Sequence, residues 1–238
     1  TPDAGVAPKI SPFPTEAQCL ALGNIKQPLS FEPGEELTYD LDALGAKAGK
    51  MVVRTLPLKE GTLHNEIHAE TNTFFSKVRK VNGTVTSYLN PKTLRPTHYF
   101  EDSMEDSIHR VADVTYRKDR TAKLISTING AREESILKYG TDISDTGGAL
   151  HLMRQLPLRE GQRICFDVYG IRRIWRVWGT VQPREHVSLP VGEFEALHLA
   201  GESARLDWPE ARREVHIWVS DDARRLPLAA LGAIDLGA

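Results

Sequence analysis

Residues 122–139 read AKLISTINGAREESILKY. Two apolar and β-branched runs flank Asn129-Gly130, the pair that type I′ turns favour because both central residues need positive φ. A two-residue turn of this kind joins antiparallel neighbours. The same device is expected at Asn82-Gly83 in KVRKVNGTVTSY and, more loosely, around Gly170 in RICFDVYGIRRIWRVWGTV. EELTYDLD (35–42), LHNEIHAE (63–70) and ADVTY (112–116) alternate as further strands. Helical signal is concentrated in DISDTGGALHLMRQL, where Leu150, Met153 and Leu156 fall on one stripe. Ser144 or Asp145 could cap that helix, and Pro157 ends it. The expected fold is therefore mainly β: an antiparallel, strongly curved sheet, as an open barrel or β-spiral, with one short helix.

The chain has 238 residues, 30 Lys+Arg against 32 Asp+Glu, and 40% hydrophobic residues. A net charge of −2 gives no bulk field for nucleic acid, and no apolar run approaches a transmembrane segment. Six of the 14 prolines lie in the first 33 residues. Residues 1–30 thus read as a Pro-rich extended arm or linker, with a short helical turn around Glu16–Leu22, behind a removed leader or anchor. Residues 31–238 read as a single β-rich domain. RTLPLKEG (54–61) and RQLPLREG (154–161) echo each other, most simply as two ways of ending an element with Pro and Gly.

Chemistry is sparse. Cys19 and Cys165 lie in no C-x-x-C pair; they are either two separate thiols or, in an exported chain, a disulfide. His64 and His68 would stand roughly 13 Å apart on a strand, too far to share one metal ion. No nucleophile elbow, phosphate loop or paired carboxylate motif appears, so no catalytic residue, metal or cofactor is expected. The segment 170–181, GIRRIWRVWGTV, stands out. On a strand, Arg172, Ile174, Arg176 and Trp178 share one face, and Arg173, Trp175, Val177 and Gly179 the other. Arg stems packed over indoles explain it structurally. The functional reading is a groove for an amphiphile, with Arg172 and Arg176 meeting an anionic head and Trp178 and Trp175 the apolar part.

Several motifs resemble a bacterial envelope family known as domain of unknown function 3108. The opening F-x-P-G-E-x-L-x-Y run is present as Phe31, Pro33, Gly34, Glu35, Leu37 and Tyr39, followed by Gly45, Ala48 and Gly49. The middle segment is present as Asp142 or Asp145 with Ser144, then Arg154, Leu156, Pro157, Leu158 and Gly161. The closing motif is present as Trp218, Ser220, Asp222, Arg225 and Pro227. The resemblance implies a β-rich, barrel-like fold and a periplasmic or envelope location, and carries no activity with it. Tyr39, Arg154, Trp218, Asp222 and Arg225 are expected to be structural, with Asp222 and Arg225 closing a turn by an ion pair. The expected function is non-catalytic binding of a hydrophobic or amphiphilic ligand in the curved sheet. The alternatives are a structural or interaction module of the envelope, working through a strand edge or the arm, and a hydrolase with scattered catalytic residues. Expected partners are a lipid-like small molecule or an envelope protein.

Overall fold

The computed structural model describes residues 12–19, 25, 27–43, 45–140 and 142–232. Strand makes up 61% and helix 8%, so the β reading of the sequence holds. Eight strands pair in chain order as an antiparallel meander: β1 (Glu36–Ala43), β2 (Ala46–Lys59), β3 (Thr62–Thr71), β4 (Val81–Leu89), β5 (Pro96–Glu105), β6 (Ile108–Tyr116), β7 (Thr121–Ile128) and β8 (Ala131–Lys138). The second sheet is a strongly curled half-barrel. It is built from β9 (Ile143–Asp145), β10 (Arg163–Gly170), β11 (Arg173–Val181), β12 (Glu185–Leu189), β13 (Gly192–Arg205), β14 (Arg212–Ser220) and β15 (Pro227–Leu231). Its order is β15-β14-β13-β11-β10-β9, and β12 also pairs with β13. The helix α1 (Thr146–Gln155) crosses from β9 to β10, which makes that pair the parallel exception.

Asn129 and Gly130 take φ of 48° and 85° and form the expected tight turn between β7 and β8. Asn82-Gly83 does not turn. Both lie inside β4, where Gly83 sits opposite Ser103, and a Cβ at 83 would come within 2.8 Å of the Ser103 Cβ. That glycine serves close strand approach, not reversal. The third turn falls one residue beyond Gly170, at Ile171-Arg172, with φ of 49° and 61°. Arg172 therefore lies in a turn and does not share a strand face with Arg176. The two echo segments also part company: one ends a strand, the other a helix, and only the closing glycines agree, at φ 74° and 77°.

The helix is capped by Asp145, whose Oδ1 accepts from the Gly148 amide at 2.7 Å. Its buried surface is wider than the expected Leu150 stripe. His151, Leu152, Met153, Arg154 and Gln155 are all buried, while Leu150 is half-exposed. Leu152 and Met153 join Leu63, Leu89, Phe166, Leu197 and Leu199 in the larger core cluster. A second cluster forms where Tyr99, Val114 and Leu124 of the meander meet Tyr169 and Ile174. Each large apolar side chain fully buried here contributes about 1.5–3 kcal/mol.

The arm is not a free linker where it is described. Pro14 and Ile25 are buried, and Phe13 and Cys19 pack against Trp178 and Cys165. Its expected helical turn is a single 3-10 turn, Glu16–Gln18. Leu22, the far end of the expected turn, lies outside the described residues.

Candidate functional site

The Arg/Trp segment is sealed by the arm. Cys19 and Cys165 are joined in a disulfide with Cα atoms 4.7 Å apart. Beside it, Trp178 is buried and meets Phe13 edge-on, with ring centroids 5.5 Å apart. Arg176 is buried in a bidentate pair with Asp167 at 2.8 and 3.2 Å. Its remaining guanidinium nitrogen donates to the Pro14 carbonyl at 2.9 Å, and it lies over the Phe13 ring. The predicted head-group site is thus filled by the chain's own carboxylate and arm. What remains there is a cleft of about 240 Å³ between Pro14 and Gln18 of the arm and Thr180 and Ala200 of the sheet. Trp175 stands on the opposite face of β11, its Nε1 donating to the Gly170 carbonyl at 3.3 Å.

Arg172 has a different setting. The β10–β11 turn reaches across to the meander, where Arg172 pairs with the exposed Glu133 at 3.1 Å. It lies near the buried Tyr169 phenol, whose pKa burial and the Glu101 carboxylate raise. Beyond this turn, one inward row of the meander is only half-buried. Tyr39, Met51, Ala69, Gly83, Ser103, Arg110 and Ile128 stand side by side from β1 to β7, all half-buried. On the reverse face the neighbouring row, Lys50, Glu70, Asn82, Met104 and His109, is exposed. This contrast between the two faces is what a sheet curling toward its inner face gives, and we call the half-buried row the concave face. Its centre is floored by small groups at Ala69, Gly83 and Ser103. The next row adds Val81, Ile108 and Glu105, with Glu105 bridging Arg79 and Arg110.

The three sequence motifs meet at one end of the molecule. Arg154, with no exposed side-chain area, donates to both oxygens of Glu35 and to the carbonyls of Ser30 and Arg224. It also lies over Phe31. Tyr39 donates to the Pro227 carbonyl at 2.9 Å, and burial raises its pKa. Asp222 Oδ1 accepts from Ser220 Oγ and from the amides of Arg224 and Arg225, all within 3.0 Å. This closes the β14–β15 turn without the expected pair, and Arg225 instead reaches Asp221 at 3.7 Å. The carboxylate is spent on amides because two of them point into the turn. A family model described as protein of unknown function (DUF3108) matches residues 37–238. The chain belongs to this family. No curated protein and no solved structure matches it.

Trp218, the remaining motif residue, faces away from the core, and Ile217 packs toward it. In this DUF3108 member the indole stacks on His198 at 4.3 Å, and His198 Nε2 lies 2.8 Å from His216 Nδ1. His64 and His68 serve neighbours, one against the Tyr88 ring and one hydrogen-bonded to Thr84. Among the described residues, no group of three or more His, Cys, Asp or Glu could hold a metal ion.

A buried polar seam that sequence reasoning missed joins helix to meander. Ser87 donates to Asp145 at 2.5 Å, Asn65 to the Gly147 carbonyl at 2.5 Å, and Thr55 bonds His151 Nε2 at 2.8 Å. Burial pushes the Asp145 carboxyl up to about 6, against the pull of the Ser87 and amide hydrogen bonds. Burial, helped by the nearby Arg154 charge, drops His151 to about 3. The only hint in the sequence was polar residues at inward strand positions. The seam fixes the helix on the sheet, because each broken bond would leave a polar group buried alone.

Proposed function

We propose that this protein is a non-catalytic binding protein of the bacterial envelope that holds a hydrophobic or amphiphilic ligand on the open half of its eight-stranded sheet. The observation that carries this reading is the inward row from Met51 to Ile128, which is only half-buried. Apolar side chains at Met51 and Ile128 suit an acyl chain or ring. Arg172 and the Arg79–Glu105–Arg110 cluster supply polar contacts at the margin. The Cys19–Cys165 disulfide supports an oxidising compartment, since such bonds are rare where thiols are kept reduced. Among the described residues, no helix is long and apolar enough to cross a membrane. Asp145 and His151 lie at 0% and 1% exposure, out of direct reach of a substrate, which supports the non-catalytic reading.

The test is binding of N-phenyl-1-naphthylamine, followed by its fluorescence, with native mass spectrometry on protein purified gently from a periplasm. Ala69→Phe and Ser103→Phe fill the floor of the concave row. Each is expected to weaken probe binding at least about tenfold while the protein stays folded. Filled variants that bind the probe as well as the parent would remove the concave face from consideration.

A further inference from the structure

The connection between β3 and β4, residues 72–80, reads NTFFSKVRK. It is not a loose loop. Asn72 Oδ1 accepts from the amides of Phe74 and Phe75 at 3.0 and 2.9 Å. The Asn72 side-chain amide donates to the Lys47 carbonyl at 2.6 Å, and its main-chain carbonyl accepts from Ser76. Thr71 Oγ1 lies 3.1 Å from Ser76 Oγ and accepts from the Val81 amide at 3.0 Å. Residues Phe75–Lys77 form a 3-10 turn, after which the Val78 and Arg79 amides both return to Phe75. The backbone is thus satisfied by the segment itself, and the tip keeps its shape without a partner.

This rigid tip holds its apolar side chains outward. Phe74 is 71% exposed and Val78 is 78% exposed, four residues apart on the same turn. Phe75 is half-buried and meets Phe74 edge-on at 5.8 Å, so it anchors the tip. Within the segment the charge has one sign, and the adjoining β5–β6 turn places Asp106 against the Lys80 amide at 2.8 Å. Residues 73–80 carry Lys77, Arg79 and Lys80 and no acid. Arg79 turns back to Glu105, while Lys77 and Lys80 are exposed. A protruding aromatic and valine flanked by the exposed Lys77 and Lys80 is complementary to one kind of surface: an apolar layer beneath anionic head groups.

We infer that the β3–β4 tip is a membrane-surface anchor, in which Phe74 and Val78 enter the interface of an anionic bilayer and Lys77 and Lys80 meet its phosphates. Binding is peripheral, since a single aromatic and a single valine reach only the head-group boundary. The tip closes the row that holds Thr71, Val81 and Glu105, so anchoring presents the open end of the concave face to the bilayer. The inference stands whether or not that face carries a ligand.

The test is vesicle co-sedimentation of the full chain, using phosphatidylcholine alone and phosphatidylcholine mixed equally with phosphatidylglycerol. The parent is expected to pellet with the anionic vesicles, to pellet less as salt rises, and to stay largely in solution with the neutral ones. Phe74→Ser with Val78→Ser should abolish pelleting. Lys77→Gln with Lys80→Gln should reduce partitioning about 25-fold, roughly fivefold for each lysine. Phe100→Ser, an exposed phenylalanine on the outer face of the meander, is the control and should change nothing. All positions are at the surface, and unchanged melting temperatures verify that each variant folds. Pelleting that ignores lipid charge or survives the Phe74/Val78 change would overturn the inference. So would a parent that dimerises through the tip on a sizing column while its serine variant runs as a monomer. Failure here leaves the naphthylamine result untouched, and that result in turn does not depend on the lysines.

Discussion

Two inner surfaces of this molecule begin alike and end differently. The face of β11 that holds Arg176 and Trp178 is curved, partly apolar and flanked by charge, and so is the open half of the meander around Met51, Ser103 and Arg110. The first is sealed. An arm segment lies on it, held by the disulfide, the Phe13–Trp178 contact and the Pro14 carbonyl on Arg176. The second is only half-buried from Met51 to Ile128. The difference teaches that an Arg/Trp-rich strand is not by itself a binding surface. The same side chains that would greet a ligand can greet the chain's own arm, and only the three-dimensional partner separates the cases.

Arg176 and Arg172 allow that contrast to be broken or sharpened directly, because they sit four residues apart in one hairpin. Arg176→Ala leaves Asp167 buried without its bidentate partner, and a loss of about 3–5 kcal/mol is expected in denaturant unfolding. Arg172→Ala removes a pair to a glutamate that is 68% exposed, for which less than about 1 kcal/mol is expected. Equal losses would mean that the two surfaces are not sealed and open as described.

The buried seam gives a second contrast, read through pH. The folded chain keeps a proton on Asp145 up to about pH 6, whereas the unfolded chain loses it near 3.8. That contribution is full at low pH and is lost as pH rises through 6. His151 runs the other way. The unfolded chain takes a proton near 6.5 that the folded chain refuses down to about 3, so stability is lost as pH falls. Between about pH 4 and 6 the two slopes oppose each other, and the parent's stability should be nearly flat with respect to this pair. Asp145→Asn, which keeps the helix cap, should lose stability on acidification by about 1.4 kcal/mol per pH unit in that window. His151→Gln should show a slope of the same size and opposite sign. Urea midpoints at a series of pH values check both, and parallel curves for the two variants would refute the assignment.

A small gain is expected in the turn that carries Arg172. Ile171 is a β-branched residue at φ 49°, a conformation that disfavours it. Ile171→Asn is expected to stabilise the protein by about 1 kcal/mol, measured as a rise in the unfolding midpoint.

What the sequence made legible was local. Asn129-Gly130 announced its turn because both residues accept left-handed backbone, and Ser144-Asp145 announced its helix because either side chain before a helical stripe can cap it. Asn82-Gly83 misled because glycine also serves where strands crowd, and nothing in the pair separates the two uses. Ile171-Arg172 stayed hidden because neither residue favours the turn it makes. The arm's docking was illegible for another reason: Phe13, Pro14 and Cys19 meet partners about 150 residues away. The Phe74-Phe75 tip could have been found from two adjacent aromatics inside a basic, turn-rich stretch. The concave row could not, since its members are spread one per strand across the whole meander.

The disulfide has a consequence for cleavage. Cys19 and Cys165 are 146 residues apart, and all of β1 through β9 and α1 lie between them. A protease that cuts once at any meander loop, the β3–β4 tip included, therefore makes two polypeptides but only one molecule. Under denaturing conditions the two pieces travel together until a reductant is added.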